Sequence, residues 1–307
     1  MAMRNNIWSE LQFAFRRGNT VNRLIFVNIA VFLIINIGIV IARLFAIDDT
    51  AVDVWLKIFT LPADLNLLLY RPWTFVTHMF SHIGFFHILF NMLWLYWMGR
   101  ILTEYLGNRK ILPVFVMGAW AGAVLYIASY NVFPGLQSDL PVAEALGASA
   151  GVMAIIVATA TLLPDYTIFL LLIGPVKLKW LAVVALLIDL ISIQGLNSGG
   201  HIAHLGGALF GFVFIKELQA GKDWSKGFNR IIDALVDAFK PGLQKPKFTR
   251  NTSSSGKTKN QKNISKKLDT ATQKKVDVIL DKIALSGYDS LNSSEKEFLF
   301  RISNRDS

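Results

Sequence analysis

The sequence predicts an all-α membrane protein: a bundle of six transmembrane helices with a small helical cytoplasmic C-terminal extension. Three observations lead to this fold class. Hydrophobic residues make up 53% of the 307 residues, and charged residues only 17%. The mean hydropathy is +0.45, which is too apolar for a soluble globular protein. Long apolar runs fill the first two thirds of the chain, whereas most of the net charge of +10 falls in the last third.

Changes in composition divide the chain into four stretches. The predicted stretches are a cytoplasmic N-terminal segment (1–22), a transmembrane domain (23–218), a basic juxtamembrane segment with a flexible linker (219–275) and a small helical hairpin (276–303). In the hairpin, Gly287 ends the first helix, and Ser294 with Glu297 forms a capping box for the second. No catalytic grouping occurs there, so docking or assembly is its expected role.

Six apolar runs form the predicted bundle, since a helix needs about 20 apolar residues to cross a bilayer. The predicted spans are residues 24–47, 87–107, 111–132, 149–163, 180–193 and 201–218. Residues 48–86 are mixed and aromatic, which predicts a large loop at the membrane interface. Residues 167–178 are apolar but interrupted at Gly174 and Pro175, which predicts an interfacial connection.

Basic residues set the predicted orientation. Side chains such as Arg17 and Arg109 fall on one side of the bundle, together with the basic tail. The positive-inside rule therefore places both termini in the cytoplasm. Ser149, His87 and His204 then all begin helices at the outer end of the bundle, at one membrane depth.

The stretch Gly147-Ala148-Ser149-Ala150-Gly151 places a serine where a loop gives way to the short fourth span. Backbone N–H groups in a first helical turn have no intrahelical partner, and the helix dipole is positive there. A serine at this point can attack a carbonyl while a nearby N–H receives the developing negative charge. The alternative is an ordinary helix start, in which Ser149 is only a cap.

His204 in the sixth span is the candidate partner of this serine. Gly207, Ala208 and Gly211 follow it on one helical face, and small residues there let another helix approach to backbone contact. Contact with the fourth span would bring His204 to Ser149, as a general base that later protonates the leaving amine. The alternative is a set of packing glycines with a histidine that is hydrogen-bonded for stability.

Two further polar residues are predicted near the outer ends of the fifth and sixth spans. Asp189 in the fifth span is the candidate for orienting the His204 ring; the alternatives are a structural partner and a solvent-facing residue near the outer boundary. His201 is predicted to face away from His204, as a polar boundary residue near the mouth of the site that can touch a substrate or the cap over the site.

His87 and Asn91 lie at i and i+4 on one face of the second span, which suits oxyanion stabilisation or a polar helix contact. His78 and His82 are also four apart, so His78, His82 and His87 are an alternative zinc site. They have no accompanying carboxylate and no His-Glu-x-x-His motif, and we expect no metal and no cofactor. Cysteine is absent, which excludes disulfides and thiol nucleophiles.

Together these motifs resemble the rhomboid intramembrane serine proteases. The matching residues are His78-x3-His82-x4-His87-x3-Asn91, Gly147-Ala148-Ser149 and Gly199-x3-Ala203-His204-x2-Gly207-x3-Gly211. The resemblance covers residues 20 to 218 and implies a six-helix bundle with a catalytic dyad of Ser149 and His204. It further implies that His87 and Asn91 help the N–H of Ser149 to bind the oxyanion. The residues with implied supporting or packing roles are Gly147, Met153, Gly199, Ala203, Gly207 and Gly211.

The resemblance also implies the partners and the location of the protein. Substrates would be single-pass membrane proteins, whose transmembrane helix unwinds near the outer face and is cut next to a small residue. Residues 194–200 would cap the site. The lipid bilayer is the surrounding partner and nucleic acid is not expected. The expected location is the bacterial inner (plasma) membrane.

Two positions depart from the family pattern. Many members carry Trp-Arg in the first loop, whereas this chain has Trp73-Thr74, with an arginine at Arg71. Many have an aromatic residue four positions after the serine, whereas this chain has Met153, whose thioether can also pack on imidazole. Two other functions stay open: an inactive relative that binds membrane clients, and a histidine-dependent metal transporter.

Overall fold

A computed structural model describes residues 19–170, 173–195, 197–238, 270–286 and 290–303. The chain divides into two units, Met1–Leu243 and Gln244–Ser307. The helices of the first unit are α1 (Thr20–Leu44), α2 (Asp49–Lys57), α3 (Leu65–Tyr70), α4 (Thr74–Thr77), α5 (Phe85–Leu106), α6 (Ile111–Val132), α7 (Pro134–Gln137), α8 (Ser149–Leu162), α9 (Leu178–Ser192), α10 (Ser198–Gln219) and α11 (Trp224–Ala238). Most of the predicted N-terminal segment, and the part of the predicted linker from 239 to 269, lie outside the described residues.

Within the described residues, four helical stretches are long and apolar enough to cross a membrane: Thr20–Leu44, Phe85–Leu106, Asn108–Val132 and Ser198–Gln219. The all-α membrane fold is therefore confirmed. The remaining two predicted spans correspond to α8, with 14 residues, and α9, with 15 residues. Both are shorter than the roughly 20 residues of a full crossing, so the count of six spans stays a prediction. The first span begins earlier than expected, at Thr20, because Asn19 caps the helix by accepting from the Asn22 N–H at 2.9 Å.

Helix α8 lies at the centre of the first unit. Every residue from Ala150 to Ala160 is buried, as expected for a helix that is apolar on all sides. Helices α5, α6, α9 and α10 pack around it. Small residues make this possible, since the Cα of Gly118 in α6 faces the Ala154 side chain directly. The start of α8 is thus held among closely packed helices.

The predicted loop of residues 48–86 contains helices α2, α3 and α4 and one short strand, β1 (Leu61–Pro62). This strand pairs with β2 (Glu144–Ala145), with Leu61 opposite Ala145. The side chain of Arg71 adds a salt bridge from its Nη2 to Glu144 Oε1 at 3.0 Å. The large loop is therefore attached to the segment that leads into α8.

The predicted interfacial connection is a β-hairpin. Strand β3 (Thr167–Leu170) pairs antiparallel with β4 (Gly174–Lys177), and Gly174 has a φ of 88°, which favours glycine. Gly174 and Pro175 are the first two residues of β4, paired with Leu170 and Phe169, and do not break a helix. Sequence periodicity does not reveal this hairpin, because both strands are short and each is stabilised only by hydrogen bonds to the other.

Helix α11 forms most of the amphipathic juxtamembrane segment and packs against the start of the third long helical stretch. The Asn229 amide donates to the Arg109 carbonyl at 3.0 Å, and Lys110 is paired with Asp223 and bonded to Ser225. Burial opposes ionisation of Asp223, but its bonds to the Lys110 ammonium and the Ser225 hydroxyl hold its pKa below the usual range.

The second unit contains α12 (Thr270–Ser286) and α13 (Ser293–Ser303). Helix α12 begins within the stretch predicted as linker. The capping box was predicted two positions too late, at Ser294 and Glu297. In the structure the Asn292 N–H donates to the Glu295 carboxylate and the Glu295 N–H donates to Asn292 Oδ1, each at 2.9 Å. Asparagine is as good an N-cap as serine, which explains the shift.

Candidate active site

Ser149 is the first residue of α8, where the sequence predicted it. Ala148 occupies the N-cap position and makes no side-chain cap bond, so the Ser149 hydroxyl does not serve as the N-cap of α8. Gly147 has a φ of 129°. A Cβ added to Gly147 would lie 2.9 Å from the His87 ring and 3.5 Å from Ser149 Oγ. Glycine is needed here both for the backbone conformation and for the space that these two side chains occupy.

His78 and His82 hold the backbone that precedes the serine. The Gly147 N–H donates to the His78 carbonyl at 2.9 Å, and the Ala148 N–H donates to His82 Nε2 at 3.3 Å. His78 Nδ1 in turn bonds the Thr74 carbonyl at 2.8 Å. The sequence indicates these histidines as alternative metal ligands and as part of the family motif, and it indicates no role for them in holding the backbone. Their four-residue spacing was the available signal, but it did not reveal these backbone partners.

Burial keeps both of these histidines neutral at physiological pH. It lowers the pKa of His78 to about 4, and burial together with the neighbouring His87 lowers the pKa of His82 to about 3. A neutral ring is what the bond from Ala148 requires, since a protonated Nε2 could not accept it. Among the described residues, His78, His82 and His87 do not form a group with metal-ligand geometry.

A cavity of about 1010 Å³ opens above the start of α8. Its walls include residues of α5, α8, α9, α10 and the β3–β4 hairpin, and most of the lining side chains are apolar. The predicted site residues that line this cavity are Ser149, His204, His87, Asn91, Gly147, Met153 and Ala203. The hydroxyl, the imidazoles and the amide are thus gathered at one concave surface, as is typical of a ligand or active site.

The other three predicted residues are glycines that pack behind the cavity. Gly199 lies against the Tyr126 ring, Gly207 against the Ala150 carbonyl and Gly211 against the Ala154 carbonyl. The contacts of Gly207 and Gly211 place the backbone of α10 directly on α8, as the small-residue face predicted. Ser149 and His204 therefore lie on two helices whose backbones are in contact. The structure records no hydrogen bond between their side chains, a bond that is often long before a substrate binds.

Asn91 and His87 differ in how they are held. Asn91 is buried, and its amide donates to the His87 carbonyl of the preceding turn at 2.9 Å. One N–H of that amide is thereby used, and the amide has a second. The His87 side chain is exposed in the cavity, and its ring centroid lies 5.0 Å from that of His82.

Asp189 and His201 are closer to His204 than the sequence indicated. Asp189 Oδ1 lies 2.8 Å from His204 Nδ1 and also 2.8 Å from His201 Nδ1. The Asp189 side chain is only 7% exposed. His201, predicted to lie at the mouth of the site, turns its ring to this carboxylate and is not part of the cavity wall.

Comparison with known proteins agrees with this arrangement. Residues 70–218 match the Rhomboid domain. This part of the chain belongs to the rhomboid family. RHOMBOID-like protein 12, mitochondrial, of Arabidopsis thaliana is 29% identical over 161 residues, which are 50% of this chain and 48% of that protein. Rhomboid protease GlpG of Salmonella newport is 37% identical over 73 residues, which are 24% of this chain and 25% of that protein.

The matches cover half or less of these curated rhomboid relatives. Residues 256–305 match a separate family of unknown function, DUF6576. Family membership and the four long apolar helices together make this rhomboid an integral membrane protein. The Rhomboid match includes α5, α8, α9 and α10, the helices that build the cavity.

Proposed function

We propose that this rhomboid family member is an intramembrane serine endopeptidase, with Ser149 as nucleophile and His204 as general base. One observation carries the proposal. Ser149 and His204 line the same cavity, on two helices whose backbones touch at Gly207 and Ala150. An ionisable side chain at membrane depth is costly and is usually retained for function.

The reaction follows from these positions. His204 Nε2 takes the proton of the Ser149 hydroxyl while Oγ attacks the scissile carbonyl carbon. The negative oxygen of the tetrahedral intermediate accepts hydrogen bonds from the Ser149 N–H, which has no intrahelical partner, and from the side chains of His87 and Asn91. His204 then passes its proton to the leaving amine. Water, activated by the same imidazole, releases the second product and regenerates Ser149.

The shape of the cavity favours a peptide that has left its helix. Apolar walls such as those of Phe90 and Val184 suit side chains that come from a bilayer. We propose single-pass membrane proteins as substrates, cut next to a small residue near the outer face. The proposed setting is the bacterial inner membrane, with six spans and both termini in the cytoplasm.

Cleavage of a single-pass substrate by the purified full chain in liposomes tests this function. Ser149→Ala and His204→Ala are each expected to abolish cleavage, because each removes an atom that the reaction uses. Ser138→Ala is the matched control: its hydroxyl bonds only the neighbouring Asp139 in an exposed loop, so cleavage should be unchanged. Cleavage by a folded Ser149→Ala or His204→Ala protein would overturn the proposal. Binding without cleavage by the unaltered chain would favour the client-binding alternative.

A further inference from the structure

Asp189 is a buried carboxylate with two imidazole partners. It lies near the end of α9, and its Oδ1 lies 2.8 Å from Nδ1 of both His204 and His201. A carboxylate within a membrane helix is expensive unless hydrogen bonds stabilise it. Both distances match a short, charge-assisted hydrogen bond. This geometry is more specific than a general polar contact.

We infer that Asp189 is a positioning residue, which fixes the ring orientation and tautomer of His204 so that Nε2 faces Ser149. The inference rests on the proposed function and adds a third member to the proposed dyad. An ionised carboxylate can only accept hydrogen bonds, so Nδ1 of His204 carries the ring proton. The neutral ring then has its lone pair on Nε2, the nitrogen that a general base must present to the serine.

His201 completes the arrangement from the other side. Its ring stands at 82° to the His204 ring, with centroids 5.7 Å apart. Because both rings donate to the same oxygen, His201 restricts rotation of the Asp189 carboxylate without occupying the cavity wall. His201 therefore acts on Asp189, and only through it on His204.

A bound metal ion is the competing explanation of the same cluster. The ligand atoms of Asp189, His201 and His204 lie within 4.8 Å of one another, which would also suit a divalent cation. A metal at this place would replace both Nδ1 protons. The protonation of Nδ1 therefore separates the two explanations without any measurement of activity.

Nitrogen-15 NMR of the histidine rings in the full chain, in lipid nanodiscs, makes this measurement. The positioning role predicts a protonated Nδ1 on His204, with the same spectrum after EDTA treatment, and a changed tautomer in Asp189→Asn. A proton on Nε2 of His204 in the unaltered chain would overturn the inference, even if Asp189→Asn failed to fold. Nδ1 signals that gain protons only after EDTA would support the metal explanation instead.

Kinetics supply a second readout. Asp189→Asn is expected to lower kcat about 10²-fold to 10⁴-fold, with KM changed less than about threefold, because the nucleophile is activated less while peptide binding is retained. Asp189→Glu should recover part of that loss. Asp53→Asn is the matched control, since its carboxylate is 57% exposed and pairs only with Lys57. Unchanged kcat in a folded Asp189→Asn protein would contradict the inference.

The two proposals fail in different ways. If the unaltered chain cleaves no substrate but His204 carries its proton on Nδ1, the protease function fails and the positioning geometry stands. If the chain cleaves substrate while His204 is protonated on Nε2, the dyad stands and the role of Asp189 fails.

Discussion

The backbone of Gly207 in α10 lies directly against the carbonyl oxygen of Ala150 in α8. Ala150 follows Ser149, and Gly207 comes one helical turn after His204, so this contact sets the separation of the two reacting side chains. The same approach recurs one turn on, where Gly211 meets the Ala154 carbonyl. Close packing of α8 and α10 is therefore part of the proposed chemistry as well as of the fold.

Gly207→Ala should impair both stability and cleavage. The added methyl would overlap the Ala150 carbonyl, and a backbone atom cannot move aside as a flexible side chain can. We expect the free energy of unfolding to fall by about 1–3 kcal/mol and kcat to fall at least tenfold. Thermal unfolding in detergent and substrate cleavage measure these effects.

Gly227→Ala is the matched control for that substitution. A Cβ at Gly227 in α11 would meet nothing within 4 Å. Replacing a glycine inside a helix then stabilises it by about 0.5–1 kcal/mol. Equal effects of Gly207→Ala and Gly227→Ala would show that the α8–α10 contact does not determine activity.

Glu144→Gln should loosen the large loop that follows α1. Glu144 accepts from Arg71 at 3.0 Å and from Thr60, and its side chain is only 22% exposed. Arg71 also donates to the Lys57 carbonyl at 2.9 Å, so one guanidinium joins two parts of this region. Removing the charge is expected to lower the free energy of unfolding by about 1–3 kcal/mol, as seen when one partner of a partly buried pair is lost.

Thermal unfolding of Glu144→Gln checks this expectation against Asp53→Asn. The Asp53 pair with Lys57 is largely exposed, and such pairs contribute little. A Glu144→Gln protein as stable as Asp53→Asn would mean that the Arg71 bond does not hold the loop.

His82→Ala should slow the reaction of Ser149 although His82 takes no part in the proposed chemistry. The substitution leaves the Ala148 N–H without its buried acceptor, next to the nucleophile. We expect reaction of the serine with a fluorophosphonate to slow about tenfold, and His82→Gln, which keeps an acceptor, to be less affected. The order of the two variants is the test: if they react alike, the bond to Ala148 does not position the serine.

The sequence predicted well where the signal is local. Small residues around Ser149 indicated a helix start, and the spacing of Gly207 and Gly211 indicated a close helix contact; both features are present. Apolar runs located the long helices to within a few residues, because length and hydropathy are properties of the run itself.

The sequence predicted poorly where distant segments meet. The hairpin of β3 and β4 depends on hydrogen bonds between the two strands, which the periodicity of apolar residues does not reveal. Asp189 was singled out, but its bonds to both His201 and His204 require α9 and α10 to be placed side by side. The bonds that Gly147 and Ala148 donate to His78 and His82 likewise arise only when the large loop folds back on α8.

Mass-spectrometric mapping of a fluorophosphonate adduct on the purified full chain tests the central claim most directly. We expect a covalent adduct on Ser149 alone, formed at least about a hundredfold more slowly in His204→Ala, because the serine then lacks its general base. An adduct on another serine, no adduct on folded protein, or equal rates with and without His204 would contradict it.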